Sequence, residues 1–526
     1  MSLPRVTYTN MGEDFSAVHA HLDGLLPQVE ARVLGRRRAA LIDGQDCLQG
    51  ESIATAVSPV DRELVLGEFP RATPALLDQA VAAARAAAPR WEALGWERRV
   101  EQLRAAAALL RERKYTIALA CLIEVGKSRL EAVGEVEEAI DILEYYAGEV
   151  QRNAGYGAER SGGLTHETAT VVLRPYGVFD VISPFNFPVA LSLGMISAAL
   201  LAGNTVIYKP SGASGLTGRL LVECLIEAGL PAGVLNLIYG ERETGEAMVH
   251  HPGFDGFAFT GSNAVGMSIL RSVAAQRAPR PVIAELGGKN PTFVAAGADL
   301  EVAAGGVLRS AFGMQGQKCS ATSKVYVAST ACDAFLERLL AQTGKIVSGD
   351  PRRREVYLGP LINGAALERF ERAVGEAREG GRVLAGGSRL EGGIYARGAY
   401  VRPTIVAGLG LEHRLNRDEL FLPFVSVLPY ERLEAAIDDA NRSDYGLTAG
   451  IYTEDGAELQ LFLDRIQAGV LYANRPSGAT TGAWPGIQSF CGWKGSGITG
   501  KGGLGSWYVP QFMREQSRTL YVRTPR

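Results

Sequence analysis

The stretch YGVFDVISPFNFPVALSLGMISAALLAGNTVIYK, residues 176–209, decides the fold. Its β-branched and aromatic start, 176–182, predicts a short buried strand. The proline-bounded turn SPFNFP occupies 183–188. Residues 187–201 then predict a helix that stops at Gly203, a residue that enters the left-handed region at little cost. Residues 204–209 predict a second strand. Working outward, the alternation continues with a helix at 214–228, strands at 234–238 and 256–260, and a helix at 264–275. Short strands alternating with helices imply right-handed crossovers and a parallel, doubly wound sheet, an α/β architecture. Such sheets bind ligands beyond the carboxyl ends of their strands. That makes SPFNFP (183–188), KPSGAS (209–214) and FTGSNAVG (259–266) the turns of interest.

Upstream, the first third reads as helical. Thr73-Pro74 is an N-cap signal with proline at the first helical position. The helical pattern continues through 97–114, 115–127 and 131–152, where Ile140, Leu143 and Ala147 fall at helical spacing. A Gly-rich polar break at 155–166 leads into the strand-like THETATVVLRP, 165–175. Downstream, a second unit starts near Glu285, with helices at 300–312 and 330–347 and strands at 323–327 and 424–430. The Gly-rich tail from Gly497 ends in SRTLYVRTPR, 517–526, read as a terminal strand.

The bulk properties narrow the function. The chain has 526 residues, 47% hydrophobic and 21% charged. Single cores stop growing near ~250–300 residues, so at least two domains are expected. The net charge of −3, pI of about 6.2 and mean hydropathy of +0.03 offer no basic face for nucleic acid or an anionic membrane. The start MSLPRVTYTNMGEDF lacks the basic and apolar regions of a signal peptide. The longest apolar stretch, near 189–202, falls short of the ~20 residues that span a bilayer. A cytoplasmic location is the expectation. The six cysteines form no C-x-x-C pair and have no histidine at ligand spacing, which argues against a disulfide framework or a metal site.

Four short motifs carry chemistry. In Gly316-Gln317-Lys318-Cys319-Ser320 the thiolate of Cys319 is both a good nucleophile and a good leaving group, suited to reversible attack on a carbonyl. A helix N-terminus after it would lower its pKa. Glu285, followed by Leu286-Gly287-Gly288, can swing toward a nucleophile and activate water. Asn186, within SPFNFP, can donate to an oxyanion beside the Cys319 backbone N–H. Phe259-Thr260-Gly261-Ser262 opens a helix whose free N–H groups suit a phosphate. Singly, each has a plain alternative: a buried cysteine, a solvated turn, an ordinary loop, a helix cap.

Together with Glu124-x-Gly126-Lys127, Lys209-Pro210-Ser211 and Glu419-Leu420-Phe421-x-Pro423, they resemble the aldehyde dehydrogenase superfamily from about Ser58 to the C-terminus. The resemblance implies a Rossmann-like cofactor domain (1–154 and 175–284), an α/β catalytic domain (285–480) and a small oligomerisation arm (155–174 and 497–526), assembled as a homo-oligomer. It implies an NAD(P)-dependent oxidoreductase in which Cys319 forms a thiohemiacetal and then a thioester, Asn186 and the Cys319 N–H hold the oxyanion, and Glu285 activates water. The implied cofactor residues are Ile182, Ser183, Lys209, Ser211, Gly261, Ser262, Glu419 and Phe421. Of these, Lys209 and Glu419 would hold ribose hydroxyls, Ser262 the pyrophosphate, and Phe421 the nicotinamide side. The family often has a carboxylate three residues after the lysine, where this chain has Gly212. NAD is expected, and NADP stays open.

Ser320 after the nucleophile, Glu138-Ala139-Ile140-Asp141 with Glu144-Tyr145-Tyr146-Ala147, and Thr481-Gly482-Ala483-x-x-Gly486-x-Gln488-x-Phe490 resemble the 1-pyrroline-5-carboxylate dehydrogenase branch. That implies L-glutamate γ-semialdehyde as substrate, in proline catabolism. Ser320 and the N–H groups near Gly482 and Ala483 would take the α-carboxylate, Glu138 the α-ammonium, and Phe187 with Phe490 the aliphatic middle. Gly478 and Ala479 compete with Gly482 and Ala483 for the anchor, because the preceding segment is longer and Gln488-Ser489-Phe490-Cys491-Gly492 departs from the branch's Q-P-F-G-G. Another semialdehyde, an aliphatic aldehyde, or a noncatalytic protein that kept the fold are the alternatives.

Overall fold

Val178–Ile182 and Thr205–Lys209 lie side by side as parallel strands, paired from Val178↔Thr205 to Ile182↔Lys209. The helix between them, Ala190–Leu201, is buried at every residue but Leu191. A helix apolar all round belongs in a core, and Gly203, at φ +96°, ends the connection. The computed structural model describes residues 3–161, 166–476 and 484–521.

This pair sits at the centre of a seven-stranded sheet ordered Val282–Glu285, Gly256–Thr260, Val178–Ile182, Thr205–Lys209, Leu235–Leu237, Ala40–Ile42, Gln45–Cys47. The first five strands are parallel, and the last two add antiparallel. Residues of Pro74–Ala93, Trp96–Val125 and Arg129–Arg152 join the same hydrophobic core. Thr73 caps the first of these helices, its Oγ1 accepting from the Leu76 N–H at 3.1 Å.

A second seven-stranded sheet runs Arg382–Ala385, Thr404–Ala407, Phe424–Tyr430, Thr322–Ala328, Asn290–Val294, Thr448–Tyr452, Val470–Ala473, all parallel except the first. Three hydrophobic clusters flank it. A three-stranded antiparallel sheet stands apart, with Glu167–Pro175 between Gly157–Ser161 and Met513–Tyr521.

Some elements differ from the sequence expectations. Trp96–Val125 is one unbroken helix rather than segments at 97–114 and 115–127, because nothing between them breaks the helix; it ends at Gly126, φ +79°. The helix expected at 330–347 is confined to Cys332–Thr343, with Gly344 at its C-cap. The first third also holds strands, at Arg36–Arg37, Ala40–Ile42, Gln45–Cys47, Ile53–Val57 and Val65–Pro70. They are short and carry little apolar alternation, and distant partners define them, as in Leu41↔Leu237. No helix among the described residues is long and apolar enough to cross a membrane.

Candidate active site

The strand register brings the motifs to one edge. Phe259 pairs with Ile182, Ile182 with Lys209, and Thr260 with Glu285. In chain order the sheet grows from Val178–Ile182 toward Leu235–Leu237, then crosses back to add Gly256–Thr260 on the other side. The order reverses between Val178–Ile182 and Gly256–Thr260, which opens a crevice at their carboxyl ends. SPFNFP and FTGSNAVG flank that crevice.

Cys319 reaches it from the other half of the molecule, on a tightly held loop. Met314 and Gln315 have φ of +53° and +58°. Gly316 is also left-handed, at +63°, and a β-carbon there would collide with the Leu422 carbonyl. The Met314 N–H donates to Glu131 Oε1 (2.8 Å), and Asn290 Nδ2 donates to the Cys319 and Ala321 carbonyls (2.7 and 2.9 Å). No helix follows the cysteine: the chain turns into the strand Thr322–Ala328. The expected helix-dipole activation is therefore corrected. Burial, and then the Glu285 and Glu419 carboxylates, push the thiol up to about 12, opposed by a backbone hydrogen bond from Ser320. Asn186 meets this loop, its Nδ2 donating to the Gln317 carbonyl at 3.0 Å.

Glu135 holds the Asn186 turn in place. Its Oε1 accepts from the N–H groups of Val189 (2.8 Å) and Ala190 (3.3 Å), and it pairs with buried Lys127. Lys127 Nζ lies 4.1 Å from the Phe187 ring centre. Breaking one partner out of such a buried pair costs about 3–5 kcal/mol, so turn geometry and fold stability are coupled.

Glu285 accepts from the Gly503 N–H at 2.6 Å. Withdrawal from water pushes its carboxyl up to about 7, with that hydrogen bond opposing. The Gly-rich tail is threaded through the site: Gly497 bridges Glu285, Gly503 bridges Phe490, and the Leu504 N–H donates to the Tyr146 hydroxyl at 3.0 Å. Gly503 was not singled out in the sequence, and Tyr146 entered it only as part of a motif, without a role. The glycine run was visible, and its destination was not.

Cys319, Glu285, Glu138, Phe187, Ser320 and Phe490 all line one cavity of about 560 Å³. Gly482 and Ala483, and the competing Gly478 and Ala479, lie outside the described residues. Tyr8, also unforeseen, enters from the N-terminal segment. Its hydroxyl donates to Glu138 Oε2 at 2.9 Å, and its ring meets Phe187 and Trp484 edge-on. The Glu138 carboxylate makes no other hydrogen bond among the described residues. Burial pushes it up to about 8; the Tyr8 bond and Lys127 oppose this, and Glu135 and Asp141 reinforce it.

Around the crevice, Lys209 is buried, its Nζ bonded among the described residues only to the carbonyls of Gly240 (3.1 Å) and Pro210 (3.4 Å). Its ammonium thus keeps donor capacity that a ligand hydroxyl could use. Ser262 caps the helix Asn263–Ala274 without a side-chain cap bond and is exposed, and Gly261 precedes it. Ile182 ends its strand, and Ser211 caps the turn at Gly212–Ser214. The Ser183 hydroxyl accepts from Ser192 (2.8 Å) and its N–H donates to the Lys209 carbonyl (3.2 Å), which leaves its own carbonyl for a ligand. Glu419 Oε1 accepts from the Gly288 N–H (2.8 Å), and burial raises this carboxyl to about 7. Phe421, at φ +57°, sits edge-on to Phe185 with ring centres 6.0 Å apart. These groups fit a dinucleotide: an open helix N-terminus for the pyrophosphate, and donors and acceptors for ribose hydroxyls. Among the described residues no group of three or more His, Cys, Asp or Glu is placed to hold a metal ion.

Residues 48–517 match the model of a family described as the aldehyde dehydrogenase family. The chain is 36% identical over 436 residues to the alpha-ketoglutaric semialdehyde dehydrogenase of Bacillus subtilis, covering 82% of this chain and 88% of that protein. It is 36% identical over 484 residues to the 1-pyrroline-5-carboxylate dehydrogenase of Geobacillus thermodenitrificans, covering 91% and 92%. Among solved structures, a Thermus 1-pyrroline-5-carboxylate dehydrogenase with bound NAD superposes with a TM-score of 0.92 at 32% identity, covering 99% of this chain and 100% of that one.

Proposed function

The chain belongs to the aldehyde dehydrogenase family, and from that premise we propose that it oxidises L-glutamate γ-semialdehyde to L-glutamate, with NAD as electron acceptor, in proline catabolism. The observation that carries the substrate is the carboxylate of Glu138 in the same cavity as Cys319. A buried carboxyl with one neutral partner is a costly feature unless it meets a cation, and the α-ammonium of an amino-acid aldehyde is such a cation. Phe187 and Phe490 supply apolar walls for the carbon chain, and Ser320 a donor for the α-carboxylate.

The thiolate of Cys319 bonds to the aldehyde carbon, and the carbonyl electron pair moves to oxygen. Asn186 Nδ2 and the Cys319 N–H steady that oxyanion. A nicotinamide dinucleotide, when bound, supplies the acceptor for the hydride that the thiohemiacetal loses. Glu285 takes a proton from water as the water attacks the resulting thioester; the C–S bond breaks, and the carboxylate leaves with the thiolate restored.

Glu138→Ala tests the substrate. It should lower kcat/KM for L-glutamate γ-semialdehyde about ten-fold or more, the range for a hydrogen bond between charged groups, while leaving hexanal unchanged. Equal effects on both substrates would discard the assignment. A second reading, a 2-oxo or other acid semialdehyde, is favoured by the relative acting on alpha-ketoglutaric semialdehyde and by the raised Glu138 carboxyl. Protonated, that group would donate to a 2-oxo oxygen, and 2-oxoglutaric semialdehyde would then outrun the amino-acid aldehyde.

Within the same proposal, 1–154 and 175–284 bind the cofactor, 285–480 carry catalysis, and 155–174 with 497–526 pair subunits. Leu520 and Tyr521 on the outer strand Met513–Tyr521 are 60% and 58% exposed, and an open apolar edge invites pairing with a second copy. Light scattering should give a mass of at least two chains; a monomer at working concentration would remove the arm's role.

A further inference from the structure

Gly212 stands three residues after Lys209 and brings no side chain to the turn at the carboxyl end of the strand Thr205–Lys209. The space above it is nonetheless filled. A β-carbon at 212 would collide with the Glu241 carboxylate, lying 2.7 Å from its Oε2. Glu241 comes from a different connection, after the strand Leu235–Leu237, and occupies the N-cap position of the helix Arg242–His250. It is exposed and makes no side-chain hydrogen bond or ion pair among the described residues. The ammonium of Lys209 bonds the carbonyl of Gly240, the residue before Glu241. Burial lowers Lys209, and Glu241 is the first charge opposing that shift. An ammonium and a free carboxylate therefore flank one spot at the end of the Thr205–Lys209 strand.

We propose that Glu241 replaces the carboxylate missing at 212: it accepts a hydrogen bond from the adenosine ribose 2′-hydroxyl and excludes a 2′-phosphate, making the chain selective for NAD over NADP. The proposal rests on the assignment of the crevice to a dinucleotide. A vicinal diol beside Lys209 offers one hydroxyl to accept from the ammonium and another to donate to Glu241. A 2′-phosphate at that place would face the carboxylate with like charge and no proton to share. A carboxylate at a helix N-terminus is also favoured by the helix dipole, but that is satisfied anywhere around the first turn and does not explain a seat over Gly212. Arg242, the adjacent cation and the natural partner for a phosphate, is turned to Glu246 at 2.7 Å.

The test is equilibrium binding to the full-length protein, followed by calorimetry with NAD⁺, NADP⁺, AMP and adenosine 2′,5′-bisphosphate. Wild type should bind NAD⁺ and AMP more tightly than their 2′-phosphorylated counterparts. Glu241→Gln, at an exposed position that leaves the fold intact, should weaken NAD⁺ about ten-fold and narrow or reverse the preference. Wild type preferring NADP⁺, or an unchanged ratio in Glu241→Gln, overturns the role of Glu241. Lys209→Ala separates the two levels. If it weakens both dinucleotides while Glu241→Gln leaves the ratio alone, only the Glu241 proposal fails. If it changes neither, the crevice assignment and the proposal fall together.

Discussion

Cys319→Ala should reduce aldehyde oxidation by about 10⁴-fold or more, the scale on which loss of a covalent nucleophile is felt, with NAD binding unchanged. The cysteine sits on a loop pinned by Glu131 and Asn290, so losing its sulfur leaves the surrounding backbone bonds in place. The thiol is pushed up to about 12, chiefly by burial and next by the Glu285 carboxylate. A protonated Glu285, whose carboxyl is itself raised to about 7, no longer sets a negative charge against the thiolate. Alkylation by iodoacetamide should consequently be slow at neutral pH in the free protein and speed up as rising pH forms the thiolate. Retained turnover in the alanine variant would end the covalent mechanism. Lost turnover with lost NAD binding would point to a structural fault instead.

Glu285→Gln should arrest the second half of the reaction. The amide oxygen can still accept from the Gly503 N–H, so the local geometry survives, but the group can no longer take a proton from water. General-base catalysis is worth about 10²–10⁴-fold, and steady-state turnover should fall by that much. Before it does, one equivalent of NADH per site should appear in a burst, and mass spectrometry should find the acyl group on Cys319. The pH dependence has a definite sign. Below about 7 Glu285 is protonated and cannot act as a base, so hydrolysis of the thioester rises with pH through about 7 and then levels. In the glutamine variant that rise should vanish. Unchanged steady-state turnover, or a pH profile that keeps the same rise, would take Glu285 out of this step.

Much of this was legible locally. The period of the 176–209 stretch, its Gly203 stop and the Thr73-Pro74 cap depend on neighbours within a few residues, and the structure follows them. The nucleophile loop was recognisable as a motif, but its electrostatics were not. No helix follows Cys319 to lower its pKa, and the thiol's environment is set first by burial and then by Glu285 and Glu419, which arrive from other segments of the chain.

The sequence alone therefore determined the α/β alternation and the candidate reactive residues, because strand and helix periods and turn chemistry are short-range properties. Only the tertiary structure decided the company those residues keep: Gly503 on Glu285, Tyr8 on Glu138, and Glu241 over Gly212. Tyr8 and Glu138 are 130 positions apart, and Gly503 and Glu285 are 218 apart. No periodicity links such pairs. Burial and Coulomb energy act through space, so the proton affinities and selectivity of this site exist only once the two sheets have closed around it.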